Sequence, residues 1–150
     1  MSPIQVTGGT QLVQWLGAKV SAGFPSAAED FAVKRLDLDR ILNLDFESVF
    51  FMRVAGHSMQ EFGIFDGDIV AIDKYIRPHN GHIVVVSLDR EFLVKQLKTV
   101  GSRVILQAGN PQFKDIELKE GQELECWGVV TATIKVFPSG VVHVRPSGRQ

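Results

Sequence analysis

Ser58 stands in the run Val54-Ala55-Gly56-His57-Ser58-Met59, and Lys95 follows 37 residues on, in Phe92-Leu93-Val94-Lys95-Gln96-Leu97. A serine hydroxyl becomes a nucleophile when a neighbouring group takes its proton, and a lysine amine can do so once it has lost its own charge. Ser58 follows a glycine turn at the end of an apolar run, where a hydroxyl is left exposed. Lys95 sits alone in an apolar, strand-like run, where desolvation pushes an amine's pKa down. Bringing that pKa to neutrality costs on the order of 4–5 kcal/mol of lost ammonium stabilisation. Phe92, Leu93, Val94 and Leu97 are the apolar groups at hand to impose it. The chemistry within reach of this pair is serine–lysine hydrolysis. Two plainer readings compete on local sequence: Ser58 caps the turn after Gly56, and a strand lysine ordinarily carries its ammonium to solvent.

A third element shifts the balance. Ala22-Gly23-Phe24-Pro25-Ser26 sets two small residues at a potential scissile bond, followed by a proline that keeps the chain extended. The ordered set Ala22–Phe31, Val54–Met59, Gly63-Ile64-Phe65-Asp66-Gly67-Asp68-Ile69-Val70, Glu91–Leu97 and Trp127-Gly128-Val129-Val130 resembles the UmuD proteins, self-cleaving mutagenesis subunits related to the LexA repressors. The resemblance runs through residues 20 to 137 in order. It implies cleavage between Ala22 and Gly23 by Ser58, with Lys95 as general base, and it needs neither cofactor nor metal. It further implies stimulation by RecA filaments on single-stranded DNA in the SOS response. The trimmed homodimer then serves as an accessory subunit of an error-prone, UmuC-type translesion polymerase. Many such cleavage sites carry Cys before Gly; Ala22 departs from that and preserves size.

In this reading neutral Lys95 accepts the Ser58 proton, Ser58 attacks the Ala22 carbonyl, and Lys95 returns the proton to the leaving Gly23 nitrogen before water releases the acyl-enzyme. The backbone amides of His57 and Ser58 are candidates for an oxyanion hole, since the Gly56 turn can point them one way. A narrow cleft suits the small Ala22-Gly23 pair, and the substrate segment is expected to bind as an added strand. His57 is not read as the base, because adjacent residues on a turn seldom turn their side chains toward each other. His79, His82, His143 and Cys126 show no metal-ligand spacing, and Asp66, Asp68 and Asp73 read as turn and surface residues. Met59 and Phe62 are expected to pack beneath the nucleophile.

These residues need a scaffold. The chain has 150 residues with an apolar fraction of 45%, enough for one domain with a real core. Lys19 is the only charged side chain in residues 1–22, which also hold Gly8, Gly9 and Gly17. That segment reads as a mobile N-terminal arm, too short for a helix-turn-helix module. The domain proper is expected over 23–150, with 138–150 an extension beyond the resemblance in which Val141–Val144 suggests one more strand. A helical turn or two is expected within Ala27–Leu44. Short apolar runs at Val49–Val54, Asp68–Asp73, His82–Leu88, Glu91–Leu97, Arg103–Gln107 and Glu123–Val136 read as strands, with a tight hairpin at Leu88-Asp89-Arg90-Glu91. The fold class is mainly β: a compact, strongly bent antiparallel fold.

Composition narrows the function classes. A net charge of −1 gives no positive field for nucleic acid, so no direct sequence-specific DNA binding is expected. The only cysteine, Cys126, has apolar neighbours that favour a buried, inert thiol, and a single cysteine fits a reducing compartment. No run approaches membrane-spanning length, and the first 22 residues lack the basic start and continuous apolar stretch of a secretory signal. A cytoplasmic protein is expected. The competing class is a non-cleaving dimerisation module that sequesters a UmuD or LexA relative. Intact Ser58, Lys95 and Ala22-Gly23 argue against it, and the missing anchor argues against a signal-peptidase-like enzyme.

Overall fold

The computed structural model describes residues 3–4, 12–16, 20–23, 33–44 and 47–138. Ten strands and almost no helix make up this part of the chain. They are β1 (Pro3–Ile4), β2 (Leu12–Leu16), β3 (Val33–Asp37), β4 (Val49–Arg53), β5 (Ile69–Asp73), β6 (Ile83–Leu88), β7 (Glu91–Val100), β8 (Arg103–Gln107), β9 (Ile116–Glu117) and β10 (Leu124–Ile134). Eight form one antiparallel sheet in the order β1-β4-β5-β10-β6-β7-β8-β9, and β2 pairs with β3 in a second. All six expected strands are present within a few residues of their expected ends.

The N-terminal quarter is where sequence and structure part. The expected helical turn within Ala27–Leu44 is a single turn, α1 (Leu38–Ile41), with the Asp37 carboxylate accepting from the Asp39 amide as its cap. The residues just before it form β3 instead, because pairing with β2 supplies the hydrogen bonds that a lone helical turn cannot. Strands β1 and β2 likewise lie in the segment read as an arm. The Val141–Val144 strand falls outside the described residues.

The run Ile83–Val86 is apolar without a break, the pattern of a strand covered on both faces. Successive residues of β6 and β7 do serve two clusters. Val85 and Val94 join Met52, Val54, Met59, Ile64, Val70 and Ile72. Val84, Val86 and Leu88 join Leu106 and Val129, with Leu93 and Leu97 packed against them. Between these clusters β10 is bent by two bulges, one at Trp127 and one at Thr131, which sharpen the twist. Gly128 sits beside the first bulge where β10 presses onto β5. A Cβ there would lie 2.7 Å from the Asp73 carbonyl oxygen, so no larger residue fits. Cys126, paired with Val86 just ahead of the bulge, is exposed rather than buried as its neighbours suggest, though partial burial still pushes its thiol pKa up.

Two turns position the candidate pair. At the β6–β7 hairpin Asp89 and Arg90 both have positive φ (49° and 70°), as a two-residue type I′ loop demands. Asp89 is held there by its amide, which donates to the Glu123 carbonyl, and by its carboxylate, which accepts from the Glu123 amide. This turn fixes the register that opposes Lys95 to Val84. Between β4 and β5, the loop carrying Ser58 is closed at its neck. The Val54 amide donates to the Asp68 carbonyl and the Gly67 amide to the Val54 carbonyl, both at 2.8 Å.

Asp68 is buried, not a surface residue, and so is Asp73. Burial alone raises the Asp68 pKa. Lys135, at 2.6 Å from Oδ1, and the Phe65 amide, at 2.9 Å from Oδ2, outweigh it and hold the carboxyl below its ordinary value. A depressed folded pKa contributes stability above the unfolded value of about 3.9, lost as pH falls through the folded one. Asp68→Asn is accordingly expected to lower stability by about 1–3 kcal/mol at pH 7. Urea denaturation from pH 7 to acid should show the gap to the parent closing below about pH 4. A gap that stays constant with pH would assign the loss to packing instead.

Candidate active site

Lys95 lies in the middle of β7, and alternation puts its side chain on the face of Leu93, Leu97 and Val84, opposite to that of Val94. It is only 6% exposed, so the strand lysine does not carry its ammonium to solvent. Its Nζ donates to Ser58 Oγ at 2.6 Å. Desolvation pushes the Lys95 pKa down, partly offset by the negative charge of Asp115. The nearest aromatic face is that of Phe113, whose ring centre is 5.9 Å from Nζ. An amine with a lowered pKa, hydrogen-bonded to a hydroxyl, can exchange roles with it once neutral: Nζ then accepts and Oγ donates.

Ser58 is half-buried, on the loop between β4 and the 3₁₀ turn Gln60–Phe62. Gly56, with φ 98°, makes the turn before it, and its amide donates to the Asp66 carboxylate at 2.7 Å. Met59, next to Ser58, is 1% exposed, and Phe62 packs on the same cluster. The exposed His57 pairs with Gln60, 3.2 Å from its Nδ1, not with Ser58. Among the described residues the amides of His57 and Ser58 meet no acceptor, as an oxyanion site requires.

The two ends of the expected scissile bond are not brought to this pair. Residues 20–23 are exposed, and no heavy atom among the described residues comes within 4 Å of a Cβ built on Gly23. The Gly23 amide donates to the Ser21 hydroxyl at 3.4 Å. The conformation seen therefore has the Ser58–Lys95 pair assembled and the Ala22–Gly23 bond undocked.

Sequence reasoning passed over the segment from Ala108 to Asp115, which joins β8 to β9. Here the Gly109 amide donates to the Ser58 carbonyl at 2.7 Å, and Asn110 Nδ2 donates to the His57 carbonyl at 2.8 Å. The Asp115 carboxylate accepts from the Ala108 amide at 3.0 Å and so closes the segment on itself. Its only trace in the sequence is the turn cluster Gly109-Asn110-Pro111. Among the described residues no three His, Cys, Asp or Glu side chains gather in a way that could hold a metal ion, and no helix is long and apolar enough to cross a membrane.

The chain is similar to known proteins over most of its length. The family model for Peptidase S24-like proteins matches residues 13–131. Protein SamA of Salmonella typhimurium is 39% identical over 113 residues, covering 75% of this chain and 78% of that protein. Protein MucA of Escherichia coli is 33% identical over 121 residues, 80% of this chain and 82% of its own length. The LexA repressor of Proteus mirabilis is 35% identical over 119 residues, 78% of this chain and 58% of the repressor, so the chain spans less than two thirds of that relative. With its antiparallel β fold and a match over most of its length, the chain belongs to the Peptidase S24-like family, that of the LexA- and UmuD-type self-cleaving peptidases.

Proposed function

We propose that this protein cuts its own chain between Ala22 and Gly23 with Ser58 as nucleophile and Lys95 as general base. One observation carries the reading: a buried lysine whose amine lies 2.6 Å from a serine hydroxyl just after a glycine turn. In the reactive state Lys95 is neutral and Nζ takes the Oγ proton as Oγ bonds to the Ala22 carbonyl carbon. The oxyanion forms opposite the amides of His57 and Ser58. Lys95 then gives its proton to the Gly23 nitrogen, the C–N bond breaks, and water attacks the ester by the same route. Two conditions must coincide: a deprotonated Lys95 and a docked cleavage segment. The undocked bond supports cleavage limited by a minor conformation, which an activator accelerates by binding that conformation better.

The biological setting of the proposal follows from the resemblance to the UmuD proteins. Residues 1–22 are the segment removed, and 23–150 the peptidase domain with 138–150 as an extension. RecA bound to single-stranded DNA is the activator, and the cytoplasmic trimmed homodimer is an accessory subunit of a UmuC-type translesion polymerase in the SOS response. A net charge of −1 supports a route to DNA through these partners rather than by direct contact.

Incubation at about pH 9–10, which deprotonates Lys95 without any activator, should yield slow cleavage after Ala22. Intact-mass spectra should show the new Gly23 terminus in the parent and full-length chain in Ser58→Ala and Lys95→Ala, each slowed at least about 100-fold. A different terminus would move the scissile bond, and parental rates in Lys95→Ala would transfer the base role elsewhere.

Stability tests the electrostatics separately. The Lys95 pKa is lower folded than unfolded, so the unfolded chain binds that proton more tightly. Stability from this group should therefore rise with pH between the folded value and about 10.4. Lys95→Met keeps the volume and removes the charge. Its urea midpoint at pH 7 should exceed the parent's, and it should lack the parent's alkaline gain. A lower midpoint would mean that the ammonium stabilises the fold.

The setting has its own assay. A chain starting at Gly23 and full-length Ser58→Ala should differ in affinity for a UmuC-type polymerase, measured by titration calorimetry. Equal affinities would leave a peptidase without a switch.

A further inference from the structure

Ser58 belongs to no helix or strand, yet a nucleophile must be held within a fraction of an ångström of its working position. The two peptide planes that flank it are both pinned from one side. The plane before Ser58 is held by the His57 carbonyl, which accepts from Asn110 Nδ2 at 2.8 Å. The plane after it is held by the Ser58 carbonyl, which accepts from the Gly109 amide at 2.7 Å. In a trans peptide the carbonyl and the following N–H point opposite ways, so anchoring the His57 carbonyl aims the Ser58 N–H away from Asn110.

The clamp is itself rigid. Asn110 Oδ1 accepts from the Gln112 amide at 3.0 Å, so the amide group has one satisfactory orientation, with Nδ2 toward His57. Pro111 restricts the Asn110 backbone from the other side. The Gly109 carbonyl accepts from the Glu61 amide at 2.7 Å, tying the clamp to the 3₁₀ turn that follows the nucleophile. A Cβ on Gly109 would fall 2.4 Å from the Phe62 ring, so the close approach requires glycine.

We propose that Asn110 is a positioning residue for self-cleavage: through the His57 carbonyl it sets the direction of the Ser58 amide and, with Gly109, the aim of Ser58 Oγ at Lys95. The inference rests on the peptidase reading of the Ser58–Lys95 pair. It separates two properties of the site. Asn110 governs how well the reacting atoms are placed, whereas the surroundings of Lys95 govern the pH at which they react.

The test is the rate of self-cleavage from pH 7 to 11 in the parent, Asn110→Ala and Asn110→Asp, each full length. Asn110→Asp keeps the acceptor for the Gln112 amide and replaces the donor with a charge facing the His57 carbonyl. It therefore preserves the turn if Asn110→Ala does not fold. Both variants are expected to lower the alkaline plateau about 100-fold. The midpoint of the pH profile should stay at the parental value in Asn110→Ala and move only upward in Asn110→Asp, whose new charge favours the Lys95 ammonium, and urea unfolding of Asn110→Asp should remain cooperative. A parental plateau in either folded variant overturns the proposal. A shifted midpoint at an unchanged plateau also overturns it, by placing Asn110 in the Lys95 electrostatics. If the parent itself does not cleave, the peptidase reading fails and this inference falls with it; a cleaving parent with an equally active Asn110→Asp sinks the clamp alone.

Discussion

A primary amine buried beside a hydroxyl is the interaction around which the rest of this molecule is arranged. An ammonium removed from water loses much of its solvation, and among the described residues nothing near Lys95 replaces it in full: one serine hydroxyl, the distant face of Phe113 and the partial compensation of Asp115. The fold must hold that side chain where it does not want to be charged. A surface strand could not, because the lysine stem would swing its head to solvent. A strand covered on both faces can, and that is the environment that β6, β8 and the two apolar clusters impose on β7.

The serine half of the pair is solved differently. Ser58 rides on a loop, where neither helix nor ladder fixes the backbone, and it is restrained from outside. The neck pairing between Val54 and Gly67–Asp68 closes the loop, Asp66 catches the Gly56 amide, and Gly109 and Asn110 hold the carbonyls on each side of the nucleophile. Asp68 ties this neck to Lys135 just beyond β10, so loop geometry and sheet geometry are one system. Rigid strand on one side and cross-braced loop on the other leave the Ser58–Lys95 distance set before any substrate arrives. Residues 20–23, which hold the proposed scissile bond, are exposed. On the proposed reading, such a division places control in docking rather than in assembly of the Ser58–Lys95 pair.

Much of this was legible in the chain. Alternation and turn chemistry located six strands and the Asp89-Arg90 hairpin, because strand pairing obeys a local period of two. Ser58 and Lys95 stood out because a lone lysine in an apolar run and a hydroxyl after a glycine turn each break a local pattern. The same local logic failed at Cys126, which is exposed despite its apolar neighbours, and at β3, where pairing with β2 overrides a short helical preference. It misjudged Asp68, whose carboxylate the distant Lys135 meets, and Asp73, whose carboxylate accepts from the nearby Tyr75 amide.

Sequence alone therefore determined the kinds of chemistry available and the order of the elements that carry them, because side-chain type and local periodicity are properties of short segments. Tertiary structure decided which of those residues meet. It chose that Lys95 points into the core, since only the covering of β7 on that face makes desolvation real. It brought Asn110, 53 residues distant in the chain, onto the His57 carbonyl, a contact that no local pattern encodes. Proximity between remote segments is fixed by the sheet's register and bends, and these emerge only when all the strands are paired.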